Sequence, residues 1–222
     1  MNALLLVGSG KISRSTSQAL GEYLCEQLHA HGYETSTRII WKAHKSDAAC
    51  ADMLAAAERA DLLILAFPLF ADSLPAPVIK TLELLAHRRS AWTADRPRRL
   101  VVIVNSGFPE AQQNDLAVAI CRQFAQQAGF EWAGALRLGG GGTVNGQPLK
   151  TMPGQARYII PALDRAAAAL AEGKPVPPEA VTGMARPIIP DWAYNLMGAF
   201  GWFVQARQSK VLTRLWERPY LK

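Results

Sequence analysis

Cysteine is scarce: Cys25, Cys50 and Cys121 are the only three in 222 residues, and none forms a C-x-x-C pair. An odd set among apolar neighbours argues against a disulfide framework and reads as free buried thiols in a reducing cytoplasm. Histidine is sparse as well, and His29, His31, His44 and His87 are isolated from any nucleophile or carboxylate that would make a triad. They read as surface or helix-packing residues, and neither a catalytic side chain nor a metal set is expected. No apolar run reaches the roughly 20 residues of a membrane span. Met1-Asn2-Ala3 passes directly into an apolar run, with no basic region or small-residue cleavage site, so a secretory signal is not expected and the cytoplasm is the expected location. Charged residues make up 19% of the chain, and the net charge of +6 is spread without an aromatic-interleaved basic stripe. A nucleic-acid partner is therefore not expected, and an anionic small ligand accounts for the charge equally well. A hydrophobic content of 50% excludes disorder and fibre.

A chain of 222 residues suits one α/β domain with an appended segment. Five short apolar runs recur: Ala3 to Val7, Arg38 to Trp41, Leu62 to Phe67, Leu100 to Val104 and Trp132 to Leu138. They are continuous rather than alternating, as in parallel strands buried on both faces. Helical patterns lie between them. Leu20, Tyr23, Leu24, Leu28 and His31 share one face, as do Ala117, Ile120, Cys121, Phe124 and Ala128, and Ile159, Ala162, Leu163, Ala166 and Leu170. Gly32 and Gly129 stand where helices should stop. This alternation predicts a three-layer α/β fold with a five-stranded parallel sheet and helices on both faces. Without a second mononucleotide half, the flavodoxin-like order 2-1-3-4-5 is favoured, with ligands at the strand ends.

After Gly173 the composition changes. Lys174-Pro175-Val176-Pro177-Pro178 reads as an extended linker, which sets an expected boundary between residues 1–173 and a linker plus helical tail over 174–222. In the tail, Trp192, Leu196, Ala199, Phe200, Phe203 and Val204 recur at helical spacing, followed by Arg207, Lys210 and Arg214. Trp192 to Val204 would extend only about 20 Å as a helix, too short to span a bilayer. The helix can pack on its own domain, on a second subunit, or in a membrane interface.

The loops at the strand ends carry the chemistry. Ser9 to Ser17 supplies five hydroxyls and two cations ahead of a helix N-terminus, whose free N–H groups favour an anion. A Walker A loop is excluded by Leu5 and Ile12, where Gly and Ser or Thr would be needed. A dinucleotide fingerprint is weak, with Ser13 in place of the third Gly and Trp41-Lys42 in place of an acidic residue. A phosphate-accepting receiver would need acidic residues where Gly8-Ser9 and Phe67-Pro68 stand. The simpler reading of Ser15 is a helix cap. The third strand leads into Phe67 to Pro77, with prolines at 68, 75 and 77, a rigid apolar loop suited to a planar heterocycle. Asn105 to Glu110 and the run Gly139 to Gly142 follow the fourth and fifth strands. Such glycines suit either close ligand approach or a slack loop.

Gly8-Ser9 followed by Ser15-Thr16-Ser17-Gln18-Ala19-Leu20 resembles the start of the NADPH-dependent FMN reductase family. The stretch Ala60 to Phe70, closing in Leu74-Pro75-Ala76-Pro77-Val78-Ile79-Lys80, resembles that family's third-strand segment and is the more specific of the two. Thr16 stands where the family usually has Asn, and Phe70 where Tyr is frequent. The resemblance covers roughly residues 3 to 172 and implies FMN at the strand ends. Its phosphate would meet Ser9, Lys11, Ser15, Thr16 and Ser17. Its ring would lie between Pro68, Leu69, Phe70, Ala71, Asp72 and Ser73 on one side and Asn105, Ser106, Gly107 and Phe108 on the other. It implies hydride transfer from NAD(P)H to the flavin and on to a small-molecule acceptor such as a quinone. It also implies a homodimer, with the tail closing a site at the subunit interface. A flavin-binding electron carrier or redox sensor without nicotinamide turnover and a cofactor-free membrane-surface adaptor are the competing expectations. Lys42, Arg88, Arg89, Arg98 and Arg99 could favour a nicotinamide phosphate, though a solvated charge run is the simpler reading.

Overall fold

The computed structural model describes residues 1–89, 92 and 97–217, apart from the side chains of Arg89 and Asp191. Five strands, β1 (Asn2–Val7), β2 (Glu34–Ile39), β3 (Leu62–Pro68), β4 (Arg99–Asn105) and β5 (Glu131–Leu138), form one sheet in the order β2-β1-β3-β4-β5. All neighbouring pairs are parallel. The helices are α1 (Thr16–Ala30), α2 (Ile40–Ala43), α3 (Asp47–Arg59), α4 (Ala76–Arg89), α5 (Asp115–Gln127), α6 (Ile159–Ala171), α7 (Pro178–Met184) and α8 (Asp191–Gln208).

Alternate strand residues feed two cores, which is why β1, β3 and β4 read as unbroken apolar runs. Leu5, Val7, Ile64, Ala66, Val101 and Ile103 pack under α1 and α6. Leu4, Leu6, Leu63, Leu65, Phe67, Val102 and Val104 pack under α3, α4 and α5. The expected helix faces are buried, with three exceptions: His31 is exposed at the end of α1, Ile120 is 37% exposed on α5, and Phe124 on α5 is half-buried. Gly32 and Gly129, at φ +88° and +70°, occupy the left-handed positions expected after α1 and α5.

Two boundaries differ from the sequence reading. Strand β2 is Glu34–Ile39 rather than Arg38 to Trp41, and the apolar residues from Ile40 onward open α2 instead. An edge strand needs no continuous apolar run, and Glu34 to Thr37 are exposed. The second difference is at the proline-rich stretch, which is not a linker. The Val176 N–H donates to Ala133 O at 2.7 Å, and Val176 is buried. Pro178 opens α7, which packs against α6 and β5. Gly134 makes this approach possible: it sits at φ +122° beside a bulge in β5, and a Cβ there would lie 2.8 Å from the Val176 Cβ. The chain divides into two compact units at Ile188 and Ile189, not at Gly173.

In the second unit, Ile189–Lys222, α8 continues past Val204 to Gln208. No helix among the described residues is long and apolar enough to cross a membrane.

Candidate functional site

The carboxyl ends of β1, β3, β4 and β5 open into a cleft of about 470 Å³. Its lining brings together Ser9, Lys11, Ser15, Thr16 and Ser17 with Pro68, Leu69 and Phe70, and with Asn105, Ser106 and Gly107. Gly141 and Gly142 complete the wall. Of the residues expected here, Ala71, Asp72, Ser73 and Phe108 do not line the cleft; they form the turns that hold the lining residues in place.

At one end the hydroxyls are oriented by the protein. The Ser15 side chain caps α1, its Oγ accepting from the Gln18 N–H at 3.1 Å. Ser17 Oγ accepts from Asn105 Nδ2 at 2.7 Å, and Ser9 Oγ from the Lys11 N–H at 3.4 Å. Each of these oxygens therefore accepts from the chain and keeps its own proton to donate to a ligand. The first-turn N–H groups of Thr16 and Ser17 have no acceptor within the helix and add to the positive end of its dipole. Capping and anion binding are thus compatible at Ser15. Thr16 acts differently: its hydroxyl donates to Gly141 O at 2.8 Å, tying the loop after β5 to α1. The cations of the loop divide. Arg14 pairs with Glu22 at 2.6 Å, whereas Lys11 Nζ donates to Asn145 Oδ1 at 2.8 Å and keeps its charge at the rim.

The opposite end is walled by Pro68, Leu69 and Phe70, and the rigidity of that wall comes from a turn more than from proline. Phe70 and Ser73 exchange two backbone hydrogen bonds of 2.9 Å, with Ala71 and Asp72 both left-handed at φ 46° and 61°. A non-glycine pair in that conformation costs about 1–2 kcal/mol per residue and is tolerated only where the surroundings impose it. Leu69 N–H donates to Asn105 O at 2.7 Å, joining this wall to the end of β4. Phe70 is 62% exposed at the cleft mouth.

Asn105 is the hub. Besides Ser17, its Nδ2 donates to Phe67 O at 3.2 Å, so one buried amide links β3, β4 and the start of α1. Below it, fully buried Asn114 donates to Ala111 O at 3.0 Å and lies 3.4 Å from both Ser106 Oγ and Leu138 O. Its own Oδ1 has no partner.

The glycine run is not slack. Gly140 N–H donates to Phe108 O and Gly141 N–H to Ser106 O, at 2.6 and 2.8 Å. Gly146, at φ +79°, lets this loop close on the first one: a Cβ there would lie 2.0 Å from Arg14 O. Asn114 and Asn145 were missing from the expected site, whereas Gly141 and Gly142 belong to the run read as suited either to close ligand approach or to a slack loop. The Asn145-Gly146 pair is a turn signal that could have drawn attention to Asn145.

Arg98 and Arg99 are neither at the cleft nor solvated. They are buried at the amino end of β4, where Arg98 Nε donates to Glu58 O and Arg99 Nη1 to Leu170 O. Lys42 lies over the Trp41 ring, 5.7 Å from its centroid, and the Arg89 side chain is outside the described residues. All three cysteines are free, and burial pushes the Cys25 and Cys121 thiols up to about 12. Among the described residues no group of three or more His, Cys, Asp or Glu is placed to hold a metal.

No family model matches the sequence, and no curated protein is similar to it. Solved structures are similar in three dimensions. The Trp repressor binding protein from Bacillus subtilis aligns with a TM-score of 0.56 at 10% identity, covering 74% of this chain and 96% of that one. A flavodoxin from the domain Archaea aligns at 0.53 and 10% identity, covering 78% and 98%. The NAD(P)H:quinone oxidoreductase from Methanothermobacter marburgensis aligns at 0.52 and 17% identity, covering 77% and 96%. At such identities the likeness is one of fold, and with the strand order above it establishes that this chain has the flavodoxin-like fold.

Proposed function

We propose that the cleft binds FMN and that the protein is a flavin-dependent oxidoreductase passing hydride from NAD(P)H to a small-molecule acceptor of the quinone type. One observation carries the reading: a single cleft joins oriented hydroxyls at a helix N-terminus to an apolar wall on rigid loops. The first end suits a phosphate monoester and the second a planar ring, and the volume lies within the range of about 300–1,000 Å³ for small-ligand sites. Ser9, Ser15 and Ser17 would donate to the phosphate, with the first-turn amides behind them and Lys11 at the rim. Pro68 to Phe70 would bound one face of the ring, and Asn105 to Gly107 with Gly141 and Gly142 the other. A flavin supplies hydride and electron transfer, so no side-chain nucleophile or acid is required of the protein. The chain's own part is to hold the two ends in register and to keep water from one side of the ring.

That quinone and flavodoxin proteins share the fold supports this reading by analogy. The test is oxidation of NADH and NADPH by the FMN-reconstituted protein, with a soluble benzoquinone as acceptor. Turnover that depends on both protein and FMN is expected. Tight FMN binding without nicotinamide oxidation would favour an electron carrier.

A further inference from the structure

We infer that the second unit, Ile189–Lys222, binds the surface of anionic phospholipid membranes, lying in the interface rather than crossing it. The inference is independent of the flavin reading, because it rests on this unit alone.

This short unit holds three of the chain's six tryptophans, Trp192, Trp202 and Trp216. Projected at 100° per residue, Trp192, Leu196, Phe200 and Phe203 form the expected stripe, but Met197 and Trp202 extend the apolar arc to either side of it. Asn195 and Arg207 are the polar residues inside it, and Gly198, Gly201, Tyr194, Gln205 and Gln208 make up the opposite face. Phe200 is 68% exposed and Trp202 75%. An apolar stripe for one partner helix would be narrower and flanked by paired charges. An arc this wide suits a medium that meets the helix from several directions.

The end of the helix enlarges that surface. Lys210 adopts a left-handed conformation at φ 57°, and Val211 N–H donates to Ala206 O at 2.9 Å while Lys210 N–H donates to Arg207 O at 3.1 Å. This reversal brings Leu215 and Trp216 beside Trp202 and Phe203 around an apolar cavity of about 570 Å³. The cavity is of a size and lining to take a lipid acyl chain.

Charge selects the lipid. In the unit's sequence Arg207, Lys210, Arg214, Arg218 and Lys222 outnumber Asp191 and Glu217, and Arg214 pairs with Glu217 at 2.7 Å. Aromatic residues together with an excess of cations are the composition of an interfacial segment on an acidic leaflet. The 18-residue helix extends about 27 Å but is not apolar enough for a span, so it would lie in the plane.

The test uses the full-length protein with vesicles of phosphatidylcholine alone and of phosphatidylcholine with phosphatidylglycerol. Co-sedimentation with the anionic vesicles is expected, with quenching of tryptophan emission by brominated lipid. Phe200→Glu with Phe203→Glu changes exposed side chains and should weaken binding by at least about tenfold. Arg207→Gln, Lys210→Gln and Arg214→Gln together should weaken it by about a hundredfold on the anionic vesicles only. Circular dichroism should be unchanged in both variants. Equal binding to the two vesicle types would overturn the anionic assignment. Absence of vesicle binding, with a light-scattering dimer that the Phe200→Glu, Phe203→Glu variant dissociates, would overturn the inference in favour of a second copy of the chain.

Discussion

Ser15→Asp separates phosphate recognition from folding. Ser15 caps α1 through its side-chain oxygen, and Asp is about as good an N-cap as Ser, so stability should stay within about 0.5 kcal/mol of wild type. The new carboxylate would stand in the cleft where the phosphate is proposed. At about 5 Å and an effective dielectric of about 20, two unit charges repel by roughly 3 kcal/mol, or about two powers of ten in Kd. A phosphate dianion would feel more, moderated by Lys11. The assay is quenching of flavin fluorescence, with FMN and riboflavin titrated separately. Riboflavin has the same ring and no phosphate, so its affinity should change little while that of FMN falls by about a hundredfold. Ser15→Ala is the companion: loss of the cap should cost about 1 kcal/mol in urea unfolding, and loss of the hydroxyl donor should weaken FMN by roughly tenfold while riboflavin changes little. Equal losses for FMN and riboflavin in Ser15→Asp would refute the placement of the phosphate.

Three further outcomes follow from the same geometry. Asn105→Ala removes two buried hydrogen bonds, so it should destabilise the protein by about 1–3 kcal/mol and weaken FMN and riboflavin alike; chemical denaturation alongside the titration checks both. Ala71→Asn with Asp72→Gly puts residues that favour positive φ into the turn beside Phe70, and should raise Tm by about 2–4 °C per kcal/mol of strain relieved; an unchanged or lower Tm would remove strain from the account. Cys25 and Cys121 titrate near 12 when folded against an ordinary 9.0, so the unfolded chain releases their protons first as pH rises. Their contribution is intact below pH 9 and declines by about 1.4 kcal/mol per thiol per pH unit above it, which urea midpoints between pH 8 and 11 would show.

The fold was legible because a parallel sheet buried on both faces leaves continuous apolar runs, as β1, β3 and β4 do. Strand β2 was displaced because an edge strand carries Glu34, Thr35 and Ser36 at no cost in burial, so the apolar residues after it drew the boundary too late. The proline-rich stretch read as a linker because its docking depends on Gly134, a residue far away in sequence that opens space for Val176. At the cleft, the sequence located the loops by their composition but not the direction of their hydrogen bonds. Nothing in the chain order shows that Thr16 spends its proton on Gly141 while Ser17 keeps its own, or that Asn105 joins three elements. Arg98 and Arg99 read as solvated because backbone carbonyls, which no sequence pattern marks, are their partners.

The central claim is that this cleft holds FMN, and titration of the full-length protein, stripped of flavin, with FMN tests it most directly. Saturable quenching at one FMN per chain is expected, with a red-shifted visible absorbance band and Ser15→Asp selectively weakened. Quenching that is absent, or that is indifferent to the phosphate, would contradict the account.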